Sequence, residues 1–446
     1  MSDVAAQTVR LVDYEDAPLT RFQIRVTIAG TGGQFSDGFI LGIIGIVITS
    51  ATGALGLTPL WIGLLGAATL AGLFLGAVVT GPIADRLGRR HIFAWDMLVF
   101  AALSAVQFFI ESPSQLLALR LLIGVVLGAD YVVSKSLVTE HAPRRFRGRL
   151  MSLLAVAWAG GYVAAYLVGF LLTNIEGESW RYMLAASAVP ALLILGFRLG
   201  VPESPLWLTQ HGRTAEAAAV VSRHLGANVR PPAIEPNPPR RNISALFTPK
   251  YRKRTMVGAL FYICQVIPFF ALGTFSPQVM ESLGVTSKLG AGAAYNIFLL
   301  VGAVLGLLVI DRITRRSFLI GTFFVGAGLL AALVIFSDTN SAVKVALFAL
   351  FALVLAAAVN LEFVYPPELF PTDLRASGVG IAVAASRIGS AVSTFLLPIV
   401  VADYDVNVAL VGCVAVLAIG GFACWAWAPE TRHESLNAIA SKVTRR

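Results

Sequence analysis

Apolar residues in this chain come in blocks about twenty residues long, and short polar stretches separate the blocks. The blocks lie near 22–49, 60–81, 91–110, 114–138, 149–173, 181–200, 255–281, 289–310, 317–336, 342–366, 376–401 and 406–428. About 20 apolar residues coiled as a helix cross a hydrocarbon core of roughly 30 Å. Lipid offers the backbone no hydrogen-bond partner, and these blocks are too long for barrel strands, so helices are the remaining choice. The pattern predicts an all-α integral membrane protein with about twelve transmembrane helices.

The polar punctuation says the same thing twice. Asp85-Arg86-Leu87-Gly88-Arg89-Arg90 returns 226 residues later as Asp311-Arg312-Ile313-Thr314-Arg315-Arg316. Glu140, followed by Pro143 and Arg147-Gly148, returns 228 residues later as Glu368, followed by Pro371 and Arg375. Pro202-Glu203-Ser204 returns as Pro429-Glu430-Thr431, 227 residues on. A duplicated membrane domain is the usual scaffold of a secondary transporter. The expected organisation is an N-terminal tail (1–21), a six-helix bundle (22–200), a linker (201–254), a second six-helix bundle (255–428) and a C-terminal tail (429–446). The linker opens on Pro202-Glu203-Ser204-Pro205-Leu206-Trp207-Leu208, whose prolines stop the sixth helix. A short amphipathic helix is expected over 214–225, and the proline-rich 231–239 reads as irregular chain.

Composition agrees: 57% of residues are hydrophobic and 13% charged, against roughly a quarter charged in soluble proteins. A net charge of +9 raises the question of nucleic acid. Its placement answers it. Arg86, Arg89, Arg90, Arg144, Arg145, Arg147, Arg149, the basic run 240–254, Arg312, Arg315, Arg316, Arg432 and Arg445 fall at alternate junctions. Glu111, Glu176, Glu178, Glu281, Asp338, Asp403 and Asp405 fall at the opposite ones. The positive-inside rule then puts both termini and the linker in the cytoplasm, for a multi-pass protein of the cell (inner) membrane. No soluble module gathers the charge into a nucleic-acid face. The first 20 residues carry Asp3, Asp13, Glu15 and Asp16 and so lack the basic start of a signal peptide. Cys264, Cys413 and Cys424 all lie in expected spans, which argues against a disulfide framework or a metal cluster. There is no phosphate-binding loop, zinc helix or nucleophile elbow, hence no expectation of an enzyme, a cofactor or a metal.

Gly81-Pro82-Ile83-Ala84-Asp85-Arg86-Leu87-Gly88-Arg89-Arg90 resembles the signature between helices 2 and 3 of the major facilitator superfamily. Pro202-Glu203-Ser204-Pro205-x-Trp207-Leu208, Arg147-Gly148 and Pro429-Glu430-Thr431-Arg432 resemble its sugar-porter and organic-ion-transporter branches. Glu368-Leu369-Phe370-Pro371-Thr372-x-x-Arg375-Ala376-x-Gly378 and Ser386-Arg387-Ile388-Gly389 lean toward the organic-ion branch and bacterial metabolite:proton relatives. The resemblance covers nearly the whole chain. It implies a monomeric secondary transporter of a small polar metabolite, working by alternating access with protons as the coupling ion.

By chemistry, Asp85 can accept amides at a helix N-terminus, while Arg86, Arg89 and Arg90 can hold Glu140 or Glu203. Asp311, Arg312, Glu368 and Glu430 would repeat this in the second half, with Arg147 and Arg375 beside them. The resemblance implies that these groups latch the cytoplasmic side; the plainer alternative is that the arginines only set topology.

Ionisable groups inside spans cost roughly 2.5–3.5 kcal/mol each on insertion scales, so each is a functional candidate. Asp37 lies in the first block, and Arg120 and Asp130 lie in the fourth. Arg120-x-x-x-Gly124-x-x-x-Gly128 presents small residues that let a neighbouring helix approach. At ~100° per residue, Arg120, Leu127, Tyr131 and Ser134 share one face and Asp130 sits about 80° away. Proton-coupled sugar porters pair an aspartate of helix 1 with an arginine of helix 4; Asp37 and Arg120 offer that pair here, with Asp37 about one position off. The pair either couples protons or simply ties two helices together. Arg387, in the eleventh block, either binds a substrate carboxylate bidentately or pairs internally with Glu362, Asp37 or Asp130. Tyr262, Gln265 and Phe269 share a side of the seventh block, where Pro268 and Pro277 are expected to bend or break the helix. Gln265 and Asn296 can hydrogen-bond a polar ligand, and Tyr131, Tyr162, Tyr166, Trp158 and Phe269 can pack a ring. Glu362 is a second protonation site or a gate residue. Lys135 is expected to snorkel, without function. The leading expectation is proton-coupled uptake of an organic carboxylate, an aromatic or sugar acid. The alternatives are a carrier or exporter of organic cations, drugs, neutral sugars or polyols, and a non-transporting receptor on the same fold.

Overall fold

The computed structural model describes residues 11–175, 177–233, 243–310, 312–370 and 372–431. Asp311, Glu176, Pro371, Arg432, Arg445 and most of the proline-rich linker stretch lie outside these residues, as does the side chain of Arg375.

Among the described residues, twelve helices are long and apolar enough to cross a membrane, as the block pattern predicts. In the first half they are α1 (Arg21–Leu55), α2 (Pro59–Leu87), α3 (Arg90–Val106), α4 (Pro113–His141), α5 (Arg144–Leu172) and a sixth span made of α6 (Ser179–Ala186) and α7 (Ala188–Arg198). Two short linker helices follow, α8 (Pro205–Gln210) and α9 (Thr214–His224), the second on the expected amphipathic stretch. The second half holds α10 (Arg252–Thr274), α11 (Ser276–Ser282), α12 (Lys288–Val309), α13 (Arg315–Ile335), α14 (Ser341–Glu368), α15 (Thr372–Asp403) and α16 (Val406–Trp427). Helix starts carry their own signals. Thr20 and Gln23 form a reciprocal capping box on α1, and Thr58-Pro59 and Ser112-Pro113 open α2 and α4 with a side-chain cap followed by proline. Of the two prolines expected to bend the seventh span, Pro268 is carried inside continuous helix, and the break comes at Phe275, before Pro277.

Within the first half α1 packs on α4, α5 and α7, and α2 packs on α4; in the second half α10 packs on α15 and α16, and α12 packs on α14. The α2–α4 crossing depends on missing side chains. A Cβ on Gly124 would collide with the Thr69 carbonyl, and one on Gly128 with the Leu73 carbonyl and the Ala77 amide. The small-residue face read from the sequence therefore meets α2.

The two halves meet mainly through α2 against α15 and α5 against α12. Several of their close approaches lie on the face away from the linker. Gly45 of α1 sits against the Thr274 carbonyl, and Gly63 of α2 against the Phe395 carbonyl. Gln278 Nε2 donates to the Gly45 carbonyl at 3.2 Å and to Thr49 Oγ1 at 2.8 Å, and Tyr166 Oη donates to the Leu289 carbonyl at 2.9 Å.

On the linker face, the segment preceding α1 is sewn to the linker. Strand β1 (Val12–Asp13) pairs in parallel with β2 (Val229–Arg230). Tyr14 Oη donates to the Glu140 carbonyl at 2.9 Å, and burial pushes its hydroxyl above the usual tyrosine range, so it stays a donor. Phe22 stacks on His224 with ring centroids 4.1 Å apart. Burial, with Arg223 and Arg25 nearby, pushes the His224 imidazole below its ordinary value and favours the neutral, stacked ring.

Gly124→Leu should wedge α4 from α2 and cost about 1–3 kcal/mol by overpacking. Thermal unfolding of the purified protein in detergent, with apparent Tm as readout, checks it; an unchanged Tm would contradict the crossing.

Candidate functional site

A cavity of about 40 Å³ lies between the halves. From the first half come Gln34, Asp37 and Leu41 of α1, Leu73 of α2, Tyr131 of α4, and Ala155 and Trp158 of α5. From the second half come Val266, Phe269 and Phe270 of α10, Val359 and Glu362 of α14, and Arg387 of α15. The lining divides into an aromatic wall and a charged floor.

The wall crosses the seam. Trp158 lies 5.9 Å from Phe269 and 6.2 Å from Phe270, centroid to centroid, and Tyr162 lies 5.6 Å from Trp158. Tilted and edge-on rings at these separations are favourable. The floor centres on Tyr131. Lys135 Nζ stands 3.5 Å from its ring centroid, and the Arg387 guanidinium stands 5.1 Å from it. Sequence spacing assigned Lys135 no role; its Nζ in fact stands over a ring that lines the cavity. Arg387 is 7% exposed, its Nε has no hydrogen-bond partner, and it makes no ion pair among the described residues. Asp37 Oδ2 accepts from Gln34 Nε2 at 3.0 Å, while Asp37 Oδ1 and Gln34 Oε1 are buried without partners among the described residues. Tyr262 Oη donates to the Glu362 backbone carbonyl at 2.9 Å and so positions α14 beside the cavity.

Several sequence expectations are corrected. Arg120 does not pair with Asp37: its Nη2 donates to the Ile40 carbonyl at 3.0 Å, and Nε and Nη1 lack partners among the described residues. Ile40 is three residues beyond Asp37, about 4.5 Å along the helix, so the packing register carries Arg120 past the carboxylate. Asp130 turns away from the cavity. Its Oδ1 lies 2.7 Å from Arg198 Nη1 and accepts from Ser134 Oγ, four residues on, so Ser134 belongs with Asp130 rather than with Tyr131. Arg198 Nη1 also lies 2.7 Å from Asp96 Oδ1. This buried cluster of α3, α4 and α7 was not singled out from sequence, although Asp96 and Arg198 both fall inside apolar blocks. Asn296 donates to the Gly292 carbonyl at 2.8 Å inside its own helix and does not line the cavity; nor does Gln265, whose amide is buried without partners among the described residues.

The repeated polar signatures form one cluster in each half. Glu203 Oε2 accepts from the backbone amides of Arg89 at 2.8 Å and Arg90 at 3.1 Å, capping α3. Glu430 does the same for α13, accepting from Arg315 and Arg316 amides at 3.0 Å each. The carboxylate at each helix N-terminus is thus the Glu of Pro-Glu-Ser/Thr, not Asp85, which is largely exposed and lies 3.3 Å from Arg89. Arg89 pairs with Glu140, and Arg315 Nε lies 3.7 Å from Glu368. Trp207 Nε1 donates to the Asp85 carbonyl at 3.0 Å. Arg147 turns to Glu15 at 3.3 Å rather than to Glu140. Arg86, Arg90 and Arg312 have exposed side chains.

Twelve spans in two related halves around one central cavity define a membrane transport protein of the major facilitator type. The profile of the family described as "Sugar (and other) transporter" matches residues 27–442. The chain is 41% identical over 421 residues to the "Inner membrane metabolite transport protein YgcS" of Escherichia coli, covering 94% of each. It is 26% identical to the "Niacin transporter NiaP" of Acinetobacter baylyi, over 88% of this chain and 90% of that one. Its fold matches the xylose transporter XylE of E. coli with a TM-score of 0.78, at 19% identity, over 93% and 99% of the two chains. The chain belongs to the sugar (and other) transporter family of the major facilitator superfamily: a multi-pass membrane transporter of small molecules, not an enzyme.

Glu203→Gln should weaken the α3 cap and cost about 2 kcal/mol, since charged acceptors at helix N-termini are the stronger ones. Asp85→Asn should cost under about 1 kcal/mol, as for an exposed pair. Parallel unfolding curves in detergent check the order; equal losses would contradict the assignment of the cap to Glu203.

Proposed function

We propose that this transporter takes up a small organic carboxylate, an aromatic or sugar acid, together with a proton, across the inner membrane by alternating access. The observation that carries it is Arg387: a guanidinium on the cavity floor, stacked on Tyr131, with no carboxylate within ion-pair distance among the described residues. A planar fork held by an aromatic ring is pre-organised for bidentate capture of a carboxylate. The wall of Trp158, Phe269 and Phe270 offers a flat apolar surface above it. The name of NiaP is in keeping, since niacin is an aromatic carboxylate. Asp37 and Glu362 are the cavity acids for the proton, one in each half, where entry of a negative substrate alters the balance between them and Arg387. The arginine-rich linker face is cytoplasmic by the positive-inside rule, so the seam at Gly45, Gly63 and Gln278 is the extracellular gate in its closed position.

A second reading has its own observation. With Asp37 and Glu362 lining the same space, the cavity can also hold an amine.

Uptake into proteoliposomes under an imposed proton gradient, with aromatic carboxylates, sugar acids, polyols and amines, separates the two. The expected result is uphill accumulation of a carboxylate. Arg387→Ala should raise its KM at least tenfold, about 1.4 kcal/mol, and Asp37→Asn should abolish accumulation while leaving exchange. Wild-type carboxylate affinity in Arg387→Ala would sink the proposal, and proton flux evoked only by amines would replace it with the second reading.

A further inference from the structure

We propose that Asp96 and Asp130, held together on Arg198, form a proton-binding site of the N-terminal half, separate from the central cavity, whose loading sets the grip of the sixth span on α3. The inference deepens the proton-coupled reading by giving that proton a second place to reside.

Arg198 ends α7 and is fully buried, with Asp130 equally buried and Asp96 nearly so. All three guanidinium nitrogens are engaged. Nη1 meets Asp96 Oδ1 and Asp130 Oδ1, both at 2.7 Å, and the Phe93 carbonyl at 3.3 Å. Nη2 donates to Ser134 Oγ at 3.1 Å and Nε to the Ala29 carbonyl at 3.3 Å. The Phe93 ring covers the guanidinium at 4.2 Å. Two carboxylates therefore share one nitrogen, and their outer atoms, Asp96 Oδ2 and Asp130 Oδ2, have no partner among the described residues.

Two acids against one guanidinium leave one negative charge in excess, and the neighbours do not remove it. Facing the cluster, α1 brings Asp37, α3 brings Asp96 and α7 brings Arg198, while Lys135 of α4 stands over Tyr131 and acts on Asp37. Lys135 at most offsets Asp37, so the excess charge at Arg198 stands. An uncompensated charge is costly at this depth, whereas two carboxylates that face each other can share one proton. The chemistry is a simple association: one proton binds a carboxylate oxygen, and the excess charge is gone.

Nearness to the cavity and consequence are both built in. Gly33 of α1 lies directly over the cluster, where any Cβ would collide with Arg198 Nη2 and crowd Asp130 Oδ2 at 2.6 Å. The next residue is Gln34, which donates to Asp37 in the cavity, so a single turn of α1 separates the two acid sites. On the other side, Arg198 lies five residues before Glu203, the cap of α3. Arg25 Nη2 holds the intervening Leu199 carbonyl at 2.6 Å. The end of span six thus grips α3 at two points, Asp96 and the first-turn amides. Deprotonated, both carboxylates pull on Arg198; protonated, one does, and the grip slackens.

The test is infrared difference spectroscopy of the full chain in lipid while pH is stepped, with no solute added, following the C=O stretch of protonated carboxyl groups. One component of the wild-type signal should vanish in Asp96→Asn and in Asp130→Asn, because either change leaves a balanced one-to-one pair. That component should survive Asp37→Asn and Glu362→Gln. Either Asn variant suffices if the other does not fold. Hydrogen exchange at the Arg89 and Arg90 amides, corrected for intrinsic rates, should show protection that drops as pH is lowered in wild type and stays constant in Asp130→Asn. A carboxyl signal that persists in the folded Asn variants, or is lost only with Asp37→Asn or Glu362→Gln, overturns the proposal, as does pH-independent wild-type protection. Failure of carboxylate uptake in liposomes would refute the substrate assignment without altering these spectra.

Discussion

Hydrocarbon solvates neither a backbone amide nor an ion, and most of what is distinctive here follows from that single penalty. Helices satisfy the backbone, which leaves side-chain charges and helix ends as the costly items. The chain deals with them locally. Glu203 and Glu430 each take two first-turn amides, Arg89 takes Glu140, and Arg198 takes two aspartates and the Ala29 and Phe93 carbonyls. Against that background Arg387 stands out, as a cavity cation with no carboxylate within ion-pair distance among the described residues.

Duplication turns this local chemistry into a machine with two ends. Each half closes its own polar cluster on the linker face, so the halves are stiff units there, and the seam is made by bare helix backbones and a few side chains on the opposite face. The cavity belongs to neither half. Its aromatic wall and its acids are drawn from both, so relative motion of the two bodies necessarily reshapes what a ligand would touch.

Block length and the repeated charged signatures made the twelve spans and the two halves legible in the sequence, because lipid forces helix length and the duplication copies polar residues at fixed spacing. What stayed hidden was partner choice between helices. Asp37 and Arg120 lie at suitable depths by counting, yet the packing register slides Arg120 on to the Ile40 carbonyl. Asp96, Asp130 and Arg198 are far apart in the chain and meet only once α3, α4 and α7 are packed. Composition flags each of them as an ion in an apolar block, but no spacing rule says which ions will share a site. Conversely Lys135 was dismissed for being able to snorkel, whereas a tyrosine one turn away captures it.

The parallel pairing of Val12–Asp13 with Val229–Arg230 carries a consequence for biogenesis. The two strands are separated by the entire first bundle, so on a ribosome the clasp has no second strand until six spans have been synthesised. Tyr14 and Phe22 likewise find the Glu140 carbonyl, His141 and His224 only after those residues have emerged. The amino-terminal segment therefore waits unpaired on the linker face while the first bundle threads into the bilayer, and it fastens as the second bundle begins. Closure of this small clasp marks, in time, the moment at which the first half of the transporter becomes a finished object.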